Sequence, residues 1–177
     1  MEVDSQVTNE VLEKNLDRII GFVANCDSKV SYLFSAVGII LTILFAVKPM
    51  NLILIRSALN SNVPDVMLGF AILGLIISLS YFLAGIYSLS QALIAQTQSH
   101  SENSDSKIFF GAIASQGNSQ NYLSNVNNDG YSYREDLACQ IYINSKICTE
   151  KFEKYNRGLK FIRRSLLLLI ICWSYLF

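Results

Sequence analysis

Polar and apolar residues fall in long blocks along the chain, and the period inside each block predicts its structure. Over residues 7–29, Leu12, Leu16, Ile19, Ile20 and Val23 recur at helical spacing, which predicts an amphipathic helix. Ser5 or Thr8 is placed to cap it. Glu10 and Lys14 sit four apart in the favourable order. Residues 30–47, VSYLFSAVGIILTILFAV, carry no charge. As a helix they reach roughly 27 Å, close to the ~30 Å of a bilayer core. Nothing interrupts the chain between the two blocks, so one helix is expected to run through both. Lys48-Pro49 closes it, because proline cannot continue the hydrogen-bond ladder.

Residues 50–65 are apolar only in short runs and contain Pro64; they read as an interfacial turn or short helix. Residues 66–89 are uncharged throughout, a second membrane-length helix. Small residues recur there at Ser80, Ala84, Ser88 and Ala92, a stripe on which another helix could pack closely. A polar linker follows over 95–107, then a short apolar patch, IFFGAIA, at 108–114. Residues 115–130 are rich in Asn, Ser, Gln and Gly and end in a turn signal, Asn128-Asp129-Gly130; little core is expected from them. From 134 to 164 a stripe of Leu137, Ile141, Cys148, Phe152, Tyr155, Leu159 and Ile162 predicts another helix. It runs straight into the apolar block 165–177, SLLLLIICWSYLF. Thirteen residues reach only about 20 Å, too short to span alone: the helix enters the bilayer and stops, or spans by tilt and thinning of the membrane, or the chain continues in a longer protein. The fold class expected is an all-α membrane protein: an N-terminal amphipathic helix entering a two-helix transmembrane hairpin, then a cytoplasmic helix continuing into a third, C-terminal membrane helix. The whole of 1–177 reads as one domain.

Composition agrees. The 177 residues carry no formal net charge, 51% are hydrophobic and only 16% are charged, against about 25% in a typical soluble protein. A disordered chain needs lower hydrophobicity or higher net charge, and a nucleic-acid-wrapping chain a basic excess. The beginning does not read as a signal peptide, since Glu2, Asp4, Glu10, Glu13 and Asp17 precede the first apolar run.

Chemistry-bearing residues are sparse. The one histidine, His100, lies in a polar stretch, and Cys26, Cys139, Cys148 and Cys172 form no CxxC pair. Neither a zinc site nor a disulfide framework is expected, and no phosphate-binding glycine loop or HExxH motif occurs. No catalytic set and no enzyme activity are expected. Lys and Arg place the polar segments: Lys14, Arg18 and Lys29 before the first apolar block, Lys48 and Arg56 in the 48–65 loop, and nine between 95 and 164. The positive-inside rule then puts the N-terminus and residues 95–164 in the cytoplasm and the 48–65 loop outside. The cluster Arg157, Lys160, Arg163 and Arg164 anchors that side and is suited to anionic headgroups. Asp27 and Lys29 fall at the expected cytoplasmic interface, where charges need partners or water.

The order of these blocks resembles the membrane effectors of bacterial Pycsar anti-phage systems. The resemblance is carried by Asp17, Asp27 and Lys29 in LDRIIGFVANCDSKV, by Phe109–Gly111, and by Asp136-Leu137, Gln140-Ile141, Lys151 and Leu159-Lys160. Val30 stands after Lys29, where a small residue would be expected. The resemblance implies an inner-membrane protein partnered by a nucleotide cyclase. It would respond to cyclic UMP or cyclic CMP and impair the membrane, so that an infected cell stops growing. Two membrane helices are too thin to enclose a pore, so damage would require a homo-oligomer. Under that reading Arg134, Lys146 and Lys151 are candidate phosphate partners and Gln140 a candidate reader of a pyrimidine edge, with Asp27 and Lys29 as a further candidate ligand cluster. No metal, other cofactor or nucleic acid is implied. The competing reading is a non-toxic membrane scaffold recruiting a partner through residues 134–164.

Overall fold

The computed structural model describes residues 8–47, 66–94, 106–128 and 130–176. Its regular elements there are five helices: α1 (Asn9–Val47), α2 (Val66–Leu93), α3 (Phe110–Ala114), α4 (Ser119–Val126) and α5 (Tyr133–Leu176). No strand occurs among the described residues. The fold is all-α, as the periodicity predicts. The 48–65 loop and residues 95–105 of the linker lie outside the described residues.

α1 runs 39 residues without a break, joining the amphipathic and apolar blocks. The Thr8 carbonyl accepts the Val11 and Leu12 amides and starts the helix. α5 runs 44 residues and likewise joins 134–164 to the apolar end. Ser132 caps it, its Oγ accepting the Glu135 amide at 3.3 Å; Ser132 and Glu135 have capping-box spacing.

Packing divides the chain into two units, Met1–Cys26 with Ile94–Lys151, and Asp27–Leu93 with Phe152–Phe177. Both long helices contribute to both units.

In the second unit, burial follows seven-residue rows rather than the expected stripe. On α2, Ala71, Ser78, Gly85 and Ala92 are all buried, whereas Ser80 is exposed. The four-residue stripe of Ser80, Ala84, Ser88 and Ala92 is therefore corrected: only its last two members are buried. The physical reason is drift. A straight helix turns only about 20° per seven residues, while steps of four at 3.6 residues per turn drift faster off a facing helix. The small residues let α2 and α5 approach. A Cβ on Gly158 would lie 2.6 Å from Leu89 Cγ and 3.1 Å from the Gly85 carbonyl oxygen. Ser88 Oγ donates to the Lys154 carbonyl at 2.9 Å, and Ser78 Oγ to the Ser165 carbonyl at 2.9 Å. Small residues and serine hydrogen bonds of this kind let two helices pack closely. Val30 is fully buried with Val37, Leu89, Ala92 and Ile162, so the bulky residue after Lys29 is core.

Along α1 and α2 the outside of this unit is largely apolar. Ile39, Ile43, Phe70, Leu73, Ile76, Leu79 and Leu83 are all more than half exposed. The most apolar stretch of α2 has a mean hydropathy of 2.3 and is only 17% buried. A soluble core helix of that composition would be covered; an uncovered one belongs in lipid. Among the described residues α1 and α2 are long and apolar enough to cross a membrane.

In the first unit Leu16, Cys26, Ala112, Leu137 and Ile143 are buried. Ile20, expected on the inner stripe, is 48% exposed. α4 was not foreseen. It buries no residue, in keeping with the little core expected from 115–130, and it is set by a local signal. Gly117 takes a left-handed φ of 78°, and Asn118 Oδ1 then accepts the Asn121 amide at 2.7 Å as an N-cap. On α5, Leu159 is 37% exposed and so leaves the expected stripe.

Candidate functional site

The densest polar network among the described residues lies in the first unit, where α5 begins. Asp136 is in the first turn of α5, where a carboxylate complements the helix dipole. It accepts from Ser106 Oγ at 2.7 Å, from the Lys107 amide at 2.8 Å and from the Tyr131 hydroxyl at 2.9 Å. Ser106 Oγ in turn accepts the Phe109 amide at 3.0 Å and Gln140 Nε2 at 3.1 Å. Ser106 is therefore buried, although the sequence places it in a polar linker; long-range bonds to α5 override local composition. The network pins residues 106–109 across α5. Immediately after it, the Phe109 ring folds over Gly111, whose added Cβ would lie 2.6 Å from Phe109 Cε1. That accounts for a glycine after the two phenylalanines.

Beside this lock opens a cleft of about 320 Å³, lined by Lys107, Ile108, Ile113, Tyr122, Val126, Tyr131 and Tyr133. Its three tyrosines are anchored through their hydroxyls. Tyr122 donates to the Lys107 carbonyl at 3.1 Å, Tyr131 to Asp136, and Tyr133 to Glu13 Oε1 of α1 at 2.8 Å. Burial, with the carboxylate of Asp136, holds the Tyr131 hydroxyl well above the ordinary phenol range. The hydrogen bond to Glu13 raises that of Tyr133. Both phenols stay neutral donors near neutral pH. Among the described residues no carboxylate pairs with the Lys107 ammonium. The cleft thus combines fixed aromatic rings with one cation that has no ion-pair partner among the described residues.

The residues singled out from the sequence are placed differently from one another. Gln140 is 3% exposed, its side-chain Nε2 donating to Ser106 Oγ at 3.1 Å and its backbone carbonyl accepting Asn144 Nδ2 at 2.8 Å. Lys151 is buried and engaged within the protein. Arg134 and Lys146 are exposed, and Lys146 Nζ lies 5.1 Å from the Tyr142 ring centre. Asp27 and Lys29 belong to the second unit. There the Asp27 carbonyl accepts Ser31 Oγ, and Lys29 Nζ sits 5.5 Å from the Phe152 ring centre, within cation–π reach. A second groove, of about 280 Å³, is lined by Asn156, Leu159, Lys160 and Arg163 in that unit. Among the described residues no three His, Cys, Asp or Glu side chains gather as metal ligands would. Sequence reasoning missed Ser106, Lys107, Tyr122, Tyr131 and Tyr133. The available signal was three tyrosines within twelve residues of an otherwise polar stretch.

No solved structure matches the chain. The chain is similar to the Pycsar effector protein GmPycTM of Gulbenkiania mobilis, with 27% identity over 192 residues, 95% of this chain and 92% of the relative. The family model of the Pycsar effector protein domain matches residues 11–177. That span takes in both membrane-length helices, the Asp136 lock and the tyrosine cleft, and on it the chain belongs to the Pycsar effector family.

Proposed function

We propose that this chain, a membrane effector of anti-phage defence, responds to cyclic UMP or cyclic CMP made by a partner cyclase and then impairs the inner membrane. The observation that carries the reading is the family match across residues 11–177, because it covers polar and apolar parts as one domain. The architecture supports it: α1 and α5 each extend from the polar unit into the apolar one. A ligand-dependent repacking of the first unit therefore has two continuous helices through which to act. Moving such an equilibrium from 1:99 to 99:1 needs about 5.5 kcal/mol of differential binding. The effector works as a homo-oligomer, with its N-terminus and residues 95–164 cytoplasmic and residues 165–177 forming a third membrane segment. Supporting the oligomer, Val11 and Phe22 of α1 are 45% and 50% exposed on the polar unit. Among the six candidate residues, Arg134 and Lys146 are the exposed cations outside the membrane-facing unit.

The test is membrane potential in bacteria expressing the chain with and without a co-expressed pyrimidine cyclase. Depolarisation and growth arrest only with the cyclase are expected. A well-expressed, inserted protein that leaves the potential unchanged with both nucleotides would favour the scaffold reading instead.

A further inference from the structure

We propose that the tyrosine cleft of the first unit is the nucleotide site: one pyrimidine ring stacks among Tyr122, Tyr131 and Tyr133, and Lys107 takes the cyclic phosphate. The inference rests on the nucleotide reading above and assigns it a place. Four observations converge on this cleft. Its volume, about 320 Å³, lies at the lower end of small-ligand pockets, enough for one ring system with a phosphate. Its three rings are held by hydroxyl bonds to Lys107, Asp136 and Glu13, so little side-chain freedom is left to lose on binding. Their aromatic surface is not used up inside the fold: Tyr122 and Tyr131 are half-buried and Tyr133 is 40% exposed. Fixed, accessible aromatic rings are what a base requires for stacking. The ammonium of Lys107, a half-buried residue with no ion-pair partner among the described residues, supplies the charge-assisted hydrogen bond an anionic phosphate needs.

The cleft also has an output. The Lys107 amide and the Tyr131 hydroxyl bond to Asp136 on α5, and Tyr133 bonds to Glu13 on α1. A ligand seated among these side chains bears on both long helices.

The experiment uses the full chain purified in detergent and titrated with cyclic UMP and cyclic CMP by calorimetry. Lys107→Gln and Tyr122→Leu are expected to weaken binding at least tenfold. Arg18→Gln, an exposed cation of the same unit outside the lining, is expected within threefold of wild type; Tyr122→Phe keeps the ring but loses its bond to the Lys107 carbonyl and is expected to bind more tightly than Tyr122→Leu. Hydrogen exchange on the wild-type protein gives a readout independent of variant folding: saturating nucleotide is expected to slow exchange at residues 107–113 and 122–126. Wild-type affinity in Lys107→Gln and Tyr122→Leu, or no protection of those segments while nucleotide is bound, overturns the site and leaves the effector reading standing. Binding of neither nucleotide by the wild-type chain overturns the site too. The cyclase-dependent depolarisation assay then decides separately whether the chain is an effector at all.

Discussion

Asp136 and Tyr131 show how much one residue can organise. Asp136 alone collects a serine, a backbone amide and a tyrosine separated from it by up to 30 positions. Asp136→Ala leaves those donors without their acceptor. Hydrogen bonds to charged groups contribute about 1.5–3 kcal/mol each and do not add simply, so a loss of about 3 kcal/mol of local stability is expected. It should appear as a large increase in the exchange rate of the Lys107 amide, with amides inside α2 unaffected. Tyr131 gives a prediction in pH. Burial comes first and the Asp136 hydrogen bond second in holding its phenol above the usual 10.0. A folded-state value above the unfolded one means the stabilisation is complete below pH 10 and fades only as the pH climbs through the raised value. An ultraviolet titration of the folded protein should therefore show the Tyr131 phenol staying protonated where ordinary tyrosines ionise, read as the difference between wild type and Tyr131→Phe. Tyr131→Phe should remove that late step and leave the rest of the curve in place. The resemblance singles out Asp136 and Gln140, but the contacts they make are not legible in the sequence. A serine at the end of a polar linker, an aspartate in a helix start and isolated tyrosines have no period. Only the fold brings positions 106, 131, 136 and 140 together.

At the scale of elements the sequence said more, and its silences have a cause. Both long helices were expected to run unbroken, because no proline or glycine cluster interrupts residues 9–47 or 133–176. The inner face of α5 was only half seen. The apolar row Ile141, Cys148, Tyr155, Ile162 and Leu169 stands out by composition. Its companion row is Leu137, Asn144, Lys151, Gly158, Ser165 and Cys172, buried or half-buried yet largely polar or small. Hydrophobic periodicity cannot find a face made of Gly, Ser, Asn and Lys. Helices that pack through small residues and serine bonds hide their contact face in this way. Two glycines separate the packing role from the conformational one. Gly158→Ala should gain up to about 1 kcal/mol in helix propensity. It also sets a Cβ against Leu89 and the Gly85 carbonyl, and overpacking of that kind costs about 1–3 kcal/mol. The backbone oxygen cannot move aside, so net destabilisation is expected, larger for Gly158→Val. Gly38→Ala meets nothing within 4 Å and should be neutral or stabilising. Unfolding in detergent, followed by the single tryptophan, Trp173, checks both.

For the whole molecule the decisive feature is continuity. The two units are separately packed, yet α1 crosses from one to the other between Cys26 and Asp27, and α5 between Lys151 and Phe152. If a ligand in the polar unit drives the membrane unit through these helices, breaking one should uncouple sensing from action without abolishing either fold. Ser28→Pro does this on α1. Proline at 28 removes the amide that bonds four residues back and clashes with that carbonyl, at a cost of about 3 kcal/mol in an uninterrupted helix. The seven-residue rows on either side remain intact: Leu16 and Val23 before the break, Val30 and Val37 after it. The variant is expected to insert into the membrane at wild-type levels and to bind nucleotide as tightly as wild type. Cyclase-dependent depolarisation is expected to be lost. Gly38→Ala, on the same helix but well inside the second unit, should retain both binding and depolarisation and so controls for handling of α1. Depolarisation that survives Ser28→Pro would mean that α1 is not needed to carry the signal, and would move the route to α5, where a proline at Glu153 asks the same question.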